Sequence, residues 1–63
     1  MSFKVANHYE LKEGREYLFK DSRDCFHLGI YHDSGINGFY TDSYDFIEMG
    51  KVCVVWELPN ENS

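Results

Sequence analysis

The stretch CFHLGIYHDSGINGFY, Cys25 to Tyr40, decides the fold. Its first half alternates with the period of two of a β-strand, its middle carries Gly35, Asn37 and Gly38, and its end, Phe39-Tyr40, is extended again. Glycine and asparagine accept the positive φ that a tight turn demands. The stretch therefore reads as a strand, a turn and the start of a second strand.

Upstream, Arg15 to Lys20 (REYLFK) is a further strand, joined to Cys25–His32 by Asp21-Ser22-Arg23-Asp24. A symmetric four-residue turn sets Phe19 against Phe26, Tyr17 against Leu28 and Arg15 against Ile30. Directly opposed residues share a sheet face, so Tyr17, Phe19, Phe26, Leu28 and Ile30 are the expected core. Glu16, Leu18, Lys20, Cys25, His27 and Tyr31 then fall on the solvent side.

Downstream, Phe39 to Asp42 continues as a short strand. Ser43 to Gly50 (SYDFIEMG) reads either as a helical turn capped by Ser43, with Phe46 and Ile47 over a sheet edge, or as an ordered loop. Lys51 to Leu58 is a strand with Val52, Val54, Trp56 and Leu58 on one side and Cys53, Val55 and Glu57 on the other. Pro59 cannot supply a ladder donor and ends it, leaving Asn60 to Ser63 as a frayed tail. The opening segment, residues 1–14, is poorly defined: it has one short apolar alternation, Phe3 and Val5, and suits an edge strand or a helical turn equally. The expected architecture is mainly β: one domain, an antiparallel meander of four or five strands. It is either curled into a small SH3-like barrel or covered on one face by the Ser43–Gly50 segment.

Gly29-Ile30-Tyr31, then Gly38-Phe39-Tyr40, then Val52 through Trp56-Glu57-Leu58-Pro59 resembles a family of small uncharacterised proteins of bacteriophages and prophages, whose members end in a valine, a tryptophan and Leu-Pro. The likeness runs from Arg15 to Pro59. It implies a phage setting inside a bacterial host and no assigned activity.

Length narrows the function classes. A chain of 63 residues hides only about 60% of the surface it exposes when unfolded, which leaves no room for a large substrate cavity beside a core. That weighs against an enzyme. Five Tyr, five Phe and one Trp nevertheless supply large apolar side chains for a core. No apolar run approaches the roughly 18 residues of a membrane span, and the N-terminus lacks the apolar stretch of a signal peptide, so a cytoplasmic protein is expected. In that reducing setting Cys25 and Cys53 are expected to be free thiols packed as small apolar residues.

Charge is segregated. Residues 1–32 balance Lys4, Lys12, Arg15, Lys20 and Arg23 against Glu10, Glu13, Glu16, Asp21 and Asp24, whereas residues 33–50 carry Asp33, Asp42, Asp45 and Glu48 with no Lys or Arg. Most of the net charge of −5 lies in that second segment. Phosphate would repel it, so direct nucleic-acid binding is not expected.

Three constellations carry chemistry. Cys25, His27, His32 and Cys53 are zinc-ligand types, but His32 falls on the opposite strand face from Cys25 and His27, so no metal and no cofactor are expected. Cys25 with His27 suggests a nucleophile, yet no group to orient the imidazole is evident. The third is GFYTDSYDFIEMG, in which Tyr40, Asp42, Tyr44, Asp45 and Glu48 are interleaved with Phe39, Phe46 and Met49. Aromatic anchors suit binding hot spots and carboxylates steer a basic partner. The expectation is a non-enzymatic protein-binding module, a phage inhibitor of a host protein whose carboxylates stand in for DNA phosphates. The competing readings are a solubilising acidic rim on a monomer, and a structural barrel that pairs its edge strands with a second copy.

Overall fold

A computed structural model describes residues 3–59; the expected tail at Asn60 to Ser63 lies outside the described residues. Six strands form one antiparallel sheet: β1 Lys4–Val5, β2 Glu16–Asp21, β3 Phe26–Ser34, β4 Ile36–Thr41, β5 Phe46–Glu48 and β6 Val52–Glu57. Their order across the sheet is β1-β6-β2-β3-β4-β5. From β2 to β5 the sheet is a meander, and β6 returns to lie beside β2. β1 and β5 are its two edges, so the sheet is curled but not closed into the expected barrel.

Two short segments add strands to the expected four or five. Val5 pairs with Trp56, and the opening segment holds both alternatives, an edge strand at Lys4–Val5 and a 3-10 turn at His8–Glu10 whose Tyr9 N–H donates to Asn7 Oδ1. Ser43–Gly50 contains strand β5, with Phe39 opposite Ile47, and the only helical element there is a 3-10 turn at Met49–Lys51. A helix starting at Ser43 is excluded because Tyr44 sits in the left-handed region, φ 63°, and closes a hairpin instead.

The β2–β3 register corrects the sequence reading. Leu18 is opposite Leu28, Phe19 opposite His27 and Lys20 opposite Phe26, one residue away from the symmetric-turn pairing. Asp21 belongs to β2, its N–H donating to Cys25 O, and the loop is Ser22-Arg23-Asp24 with Asp24 at φ 64°. A turn with a left-handed residue at its end is the standard way to close a three-residue hairpin loop. A slip of one residue sends a strand's side chains to the other face. Phe26, Leu28 and Ile30 therefore point outward, and His27, Gly29 and Tyr31 point inward.

The inner face is the core. Phe19, Phe39 and Val55 are fully buried, with Tyr17 and Tyr31 nearly so. Phe19 and Phe39 stack at 4.4 Å between ring centroids, directly over Gly29. A Cβ on Gly29 would lie 3.0 Å from Phe19 Cε1 and from Phe39 Cβ, so the absent side chain is what lets the rings settle onto the strand. Val55 reaches this core because a bulge opposite Lys20 and Asp21 shifts β6: Val52 and Val55 both turn inward and Cys53 is exposed. Residues 6–12 cover the open side. Ala6 N–H donates to Val55 O, Leu11 packs on the core, and the Lys12 N–H donates to the buried Tyr17 hydroxyl at 2.9 Å.

Candidate protein-binding surface

The outer face of the same sheet is also apolar. Parity from the registers places Val5 on β1, Val54 and Trp56 on β6, and Leu18 on β2 there, beside Phe26, Leu28 and Ile30 on β3. Tyr40 and Phe46 continue the surface across β4 and β5. Phe26 is 63% exposed, Val5 62%, Tyr40 48%, Ile30 47% and Leu28 45%. Phe26 and Trp56 reach toward each other across β2, with ring centroids 5.8 Å apart, and half-bury Leu18 and Lys20 beneath them. Toward the other edge His32, Tyr40 and Phe46 form a ladder, Tyr40 lying 5.4 Å from His32 and 4.9 Å from Phe46. Gly38 makes room for this ladder, since a Cβ there would come within 2.6 Å of Phe46 Cζ and collide with Ile47 O.

The residues chosen from sequence divide into two groups. Tyr40 and Glu48 lie on the outer face, Glu48 opposite Gly38. Asp42, Tyr44 and Asp45 lie in the β4–β5 turn, which repeats the geometry of the β2–β3 turn. Tyr44 N–H donates to Thr41 O and Thr41 N–H to Asp45 O, as Asp24 N–H donates to Asp21 O and Asp21 N–H to Cys25 O. Tyr44 therefore projects from the tip, 94% exposed, in a conformation that bulky side chains rarely adopt. Ser43 Oγ donates to Asp45 Oδ2 at 3.3 Å. Asp42 and Asp45 line one side of an open groove of about 540 Å3, with Leu18, Phe26 and Leu28 on its other side. The acidic turn thus borders the apolar face.

The two turns differ in chemistry. Asp21 is buried and accepts three hydrogen bonds: from Arg23 N–H at 2.8 Å, from Cys25 N–H at 3.0 Å and from His27 Nε2 at 2.8 Å. The His27 bond above all, then the Cys25 and Arg23 N–H groups, lower its pKa to about 2 against the opposing effect of burial. Sequence reading found no group to orient His27; Asp21 does so. Phe19 stacks on the imidazole at 5.2 Å, and His27 and Asp21 serve as a clamp on the turn.

Cys25 and Cys53 are free and exposed, not packed as expected. Among the described residues no three metal-ligating side chains cluster. No described helix is long and apolar enough to cross a membrane. Comparison with known proteins finds no matching family model, no matching curated protein and no matching solved structure.

Sequence reasoning missed Phe26, Leu28 and Ile30 as surface residues. The available signal was Asp24, a residue type that tolerates the left-handed region and so allows a three-residue loop.

Proposed function

We propose that the protein is a non-enzymatic protein-binding module that engages a partner with a basic surface through the β4–β5 hairpin and the aromatic face beside it. The observation that carries this reading is the juxtaposition of Tyr40, Phe46 and Glu48 on the outer face with Asp42 and Asp45 on the bordering turn. Tyr40 and Phe46 supply contact area at small entropic cost, and the carboxylates, with no Lys or Arg between residues 33 and 50, steer a cationic partner toward it. Tyr44, held out at the tip in a left-handed conformation, suits insertion into a partner's cleft. The sequence likeness to phage proteins supports an inhibitor of a bacterial host protein, and carboxylates in place of DNA phosphates suit a nucleic-acid-handling target.

The test is capture of a bacterial protein by tagged chain at low and high salt, alongside the combined variant Asp42→Asn, Asp45→Asn, Glu48→Gln and the single variant Tyr44→Ala. The reading expects one partner to be held at low salt, released at high salt, and lost or weakened at least about tenfold by the carboxylate variant. Binding that ignores both salt and the carboxylates would remove the acidic turn from the site.

A further inference from the structure

We propose that the β6–β2–β3 part of the outer face is the interface of a homodimer, two sheets packing face to face. An antiparallel sheet ordinarily has one face on the core and one polar face toward water; this sheet is apolar on both. Here the inner face is closed by residues of the same chain, while Phe26, Leu28, Ile30 and Val5 stand about half exposed. Taking large side chains at about 150–200 Å2 each, these four leave about 330–430 Å2 of apolar surface exposed, and the half-buried Leu18, Val54 and Trp56 extend it. That is the size of the largest patch on a typical monomer, which is often functional, and it supplies most of the apolar share of the roughly 800 Å2 per partner of a stable homodimer interface.

The arrangement of the patch selects a second copy as its occupant. Leu18 and Leu28 are directly opposed at its centre; Lys20 and Phe26 form the row on one side, Glu16 and Ile30 the row on the other. A two-fold axis running across the strands through the Leu18–Leu28 row sets each row of one sheet over the opposite row of its partner. Lys20, the one cation of the three rows, then meets Glu16 of the second copy, and Phe26 meets Ile30. Leu18, Leu28 and Trp56 meet their own counterparts, since Trp56 shares the central row. The patch pairs with itself in charge and in shape, as an isologous interface requires. Within its own chain Lys20 lies 3.6 Å from the exposed Asp24, so in the dimer its ammonium sits between Asp24 and the second copy's Glu16. The strands of the two sheets would cross at roughly 30°, the angle set by sheet twist. The acidic β4–β5 turn lies beside the patch, so a dimer displays two such turns.

Sedimentation equilibrium of the full chain from about 1 to 100 micromolar tests this, the range in which an interface of this size self-associates. Wild type is expected at twice the monomer mass in the upper part of that range. Lys20→Glu sets like charges against each other and should weaken association at least about tenfold, while the pair Glu16→Lys with Lys20→Glu restores it. Leu28→Asp should give a monomer with the β circular dichroism of the wild type. The carboxylate variant of the acidic turn should dimerise like wild type, which separates this proposal from the partner-binding reading. A wild type monomeric throughout, or a dimer indifferent to Leu28→Asp and to Lys20→Glu, overturns it.

Discussion

The inner and outer faces of this sheet are built from nearly the same residue types and do opposite things. Inside, Phe19, Phe39 and Val55 are sealed completely by the curl of the sheet and by residues 6–12. Outside, Phe26, Leu28 and Ile30 lie on a neighbouring strand of the same sheet and stay half open to water. Hydrophobicity alone does not say which set is the core. The choice is made in the β2–β3 turn, where Asp24 takes a left-handed conformation and Asp21 ties down the loop with three accepted hydrogen bonds. One loop residue thus decides which half of the strand's apolar surface is available for recognition.

The same substitution on the two faces should separate them most sharply. Phe19→Ala removes a fully buried ring and should cost about 3–5 kcal/mol, enough to unfold most of a domain this small. Phe26→Ala should cost less than about 1 kcal/mol when both are measured by urea denaturation at low micromolar concentration. Equal losses would mean that the faces are not distinct.

Gly38→Val comes next, since the added side chain collides with Ile47 O on β5 and with the Phe46 ring. It should detach β5 and lose its amide protection from hydrogen exchange while β2, β3 and β6 keep theirs. Protection retained on β5 would show that the strand can move aside.

Acid should then act through the inner face. The pKa of Asp21 is lowered to about 2 in the folded chain, against about 3.9 for an unfolded aspartate. A lowered carboxylate pKa contributes stability that is fully present above about pH 4 and is lost as pH falls toward about 2. Thermal midpoints should fall through that window, and Asp21→Asn should flatten the dependence while lowering the midpoint at neutral pH. An unchanged acid profile in Asp21→Asn would show that the clamp carries no such coupling.

The smallest effect belongs to the exposed turn. Tyr44→Gly relieves a left-handed conformation and should stabilise by about 0.5–1 kcal/mol, more than Asp24→Gly, because aspartate tolerates that region better than tyrosine. If Tyr44→Gly also abolishes partner capture, the strain at the tip is retained for function.

Much of the strand content was legible. REYLFK, the alternation after Cys25 and the final valine-rich strand fall where their patterns indicate, shifted by one or two residues at the ends. The expected turn over Asp33–Gly38 instead contracts to Gly35 at φ 94°, with Asn37 and Gly38 paired inside a β4 that begins at Ile36 and not at Phe39. Parity was not legible, because a three-residue and a four-residue loop differ only in whether Asp21 closes β2 and Asp24 goes left-handed. An echo was available: DSRDCF at residues 21–26 and TDSYDF at residues 41–46 share their spacing to a final phenylalanine, and both form the same turn. Of the candidate site, Tyr40, Glu48 and the acidic turn could be read from composition. Its apolar half, Phe26, Leu28, Ile30 and Trp56, could not, since exposure depended on that parity and on the bulge in β6.

Because the outer surface exists only in this register, cross-strand NOEs between β2 and β3 test the account most directly. Tyr31 N–H donates to Arg15 O, so odd-numbered residues of β3 bond to β2, leaving Leu18–Leu28 and Lys20–Phe26 as closely spaced pairs with Cα atoms about 4.5 Å apart. Strong Hα–Hα NOEs are predicted for those two pairs. NOEs joining Tyr17 to Leu28 and Phe19 to Phe26 in their place would put Phe26, Leu28 and Ile30 in the core and remove the proposed interface.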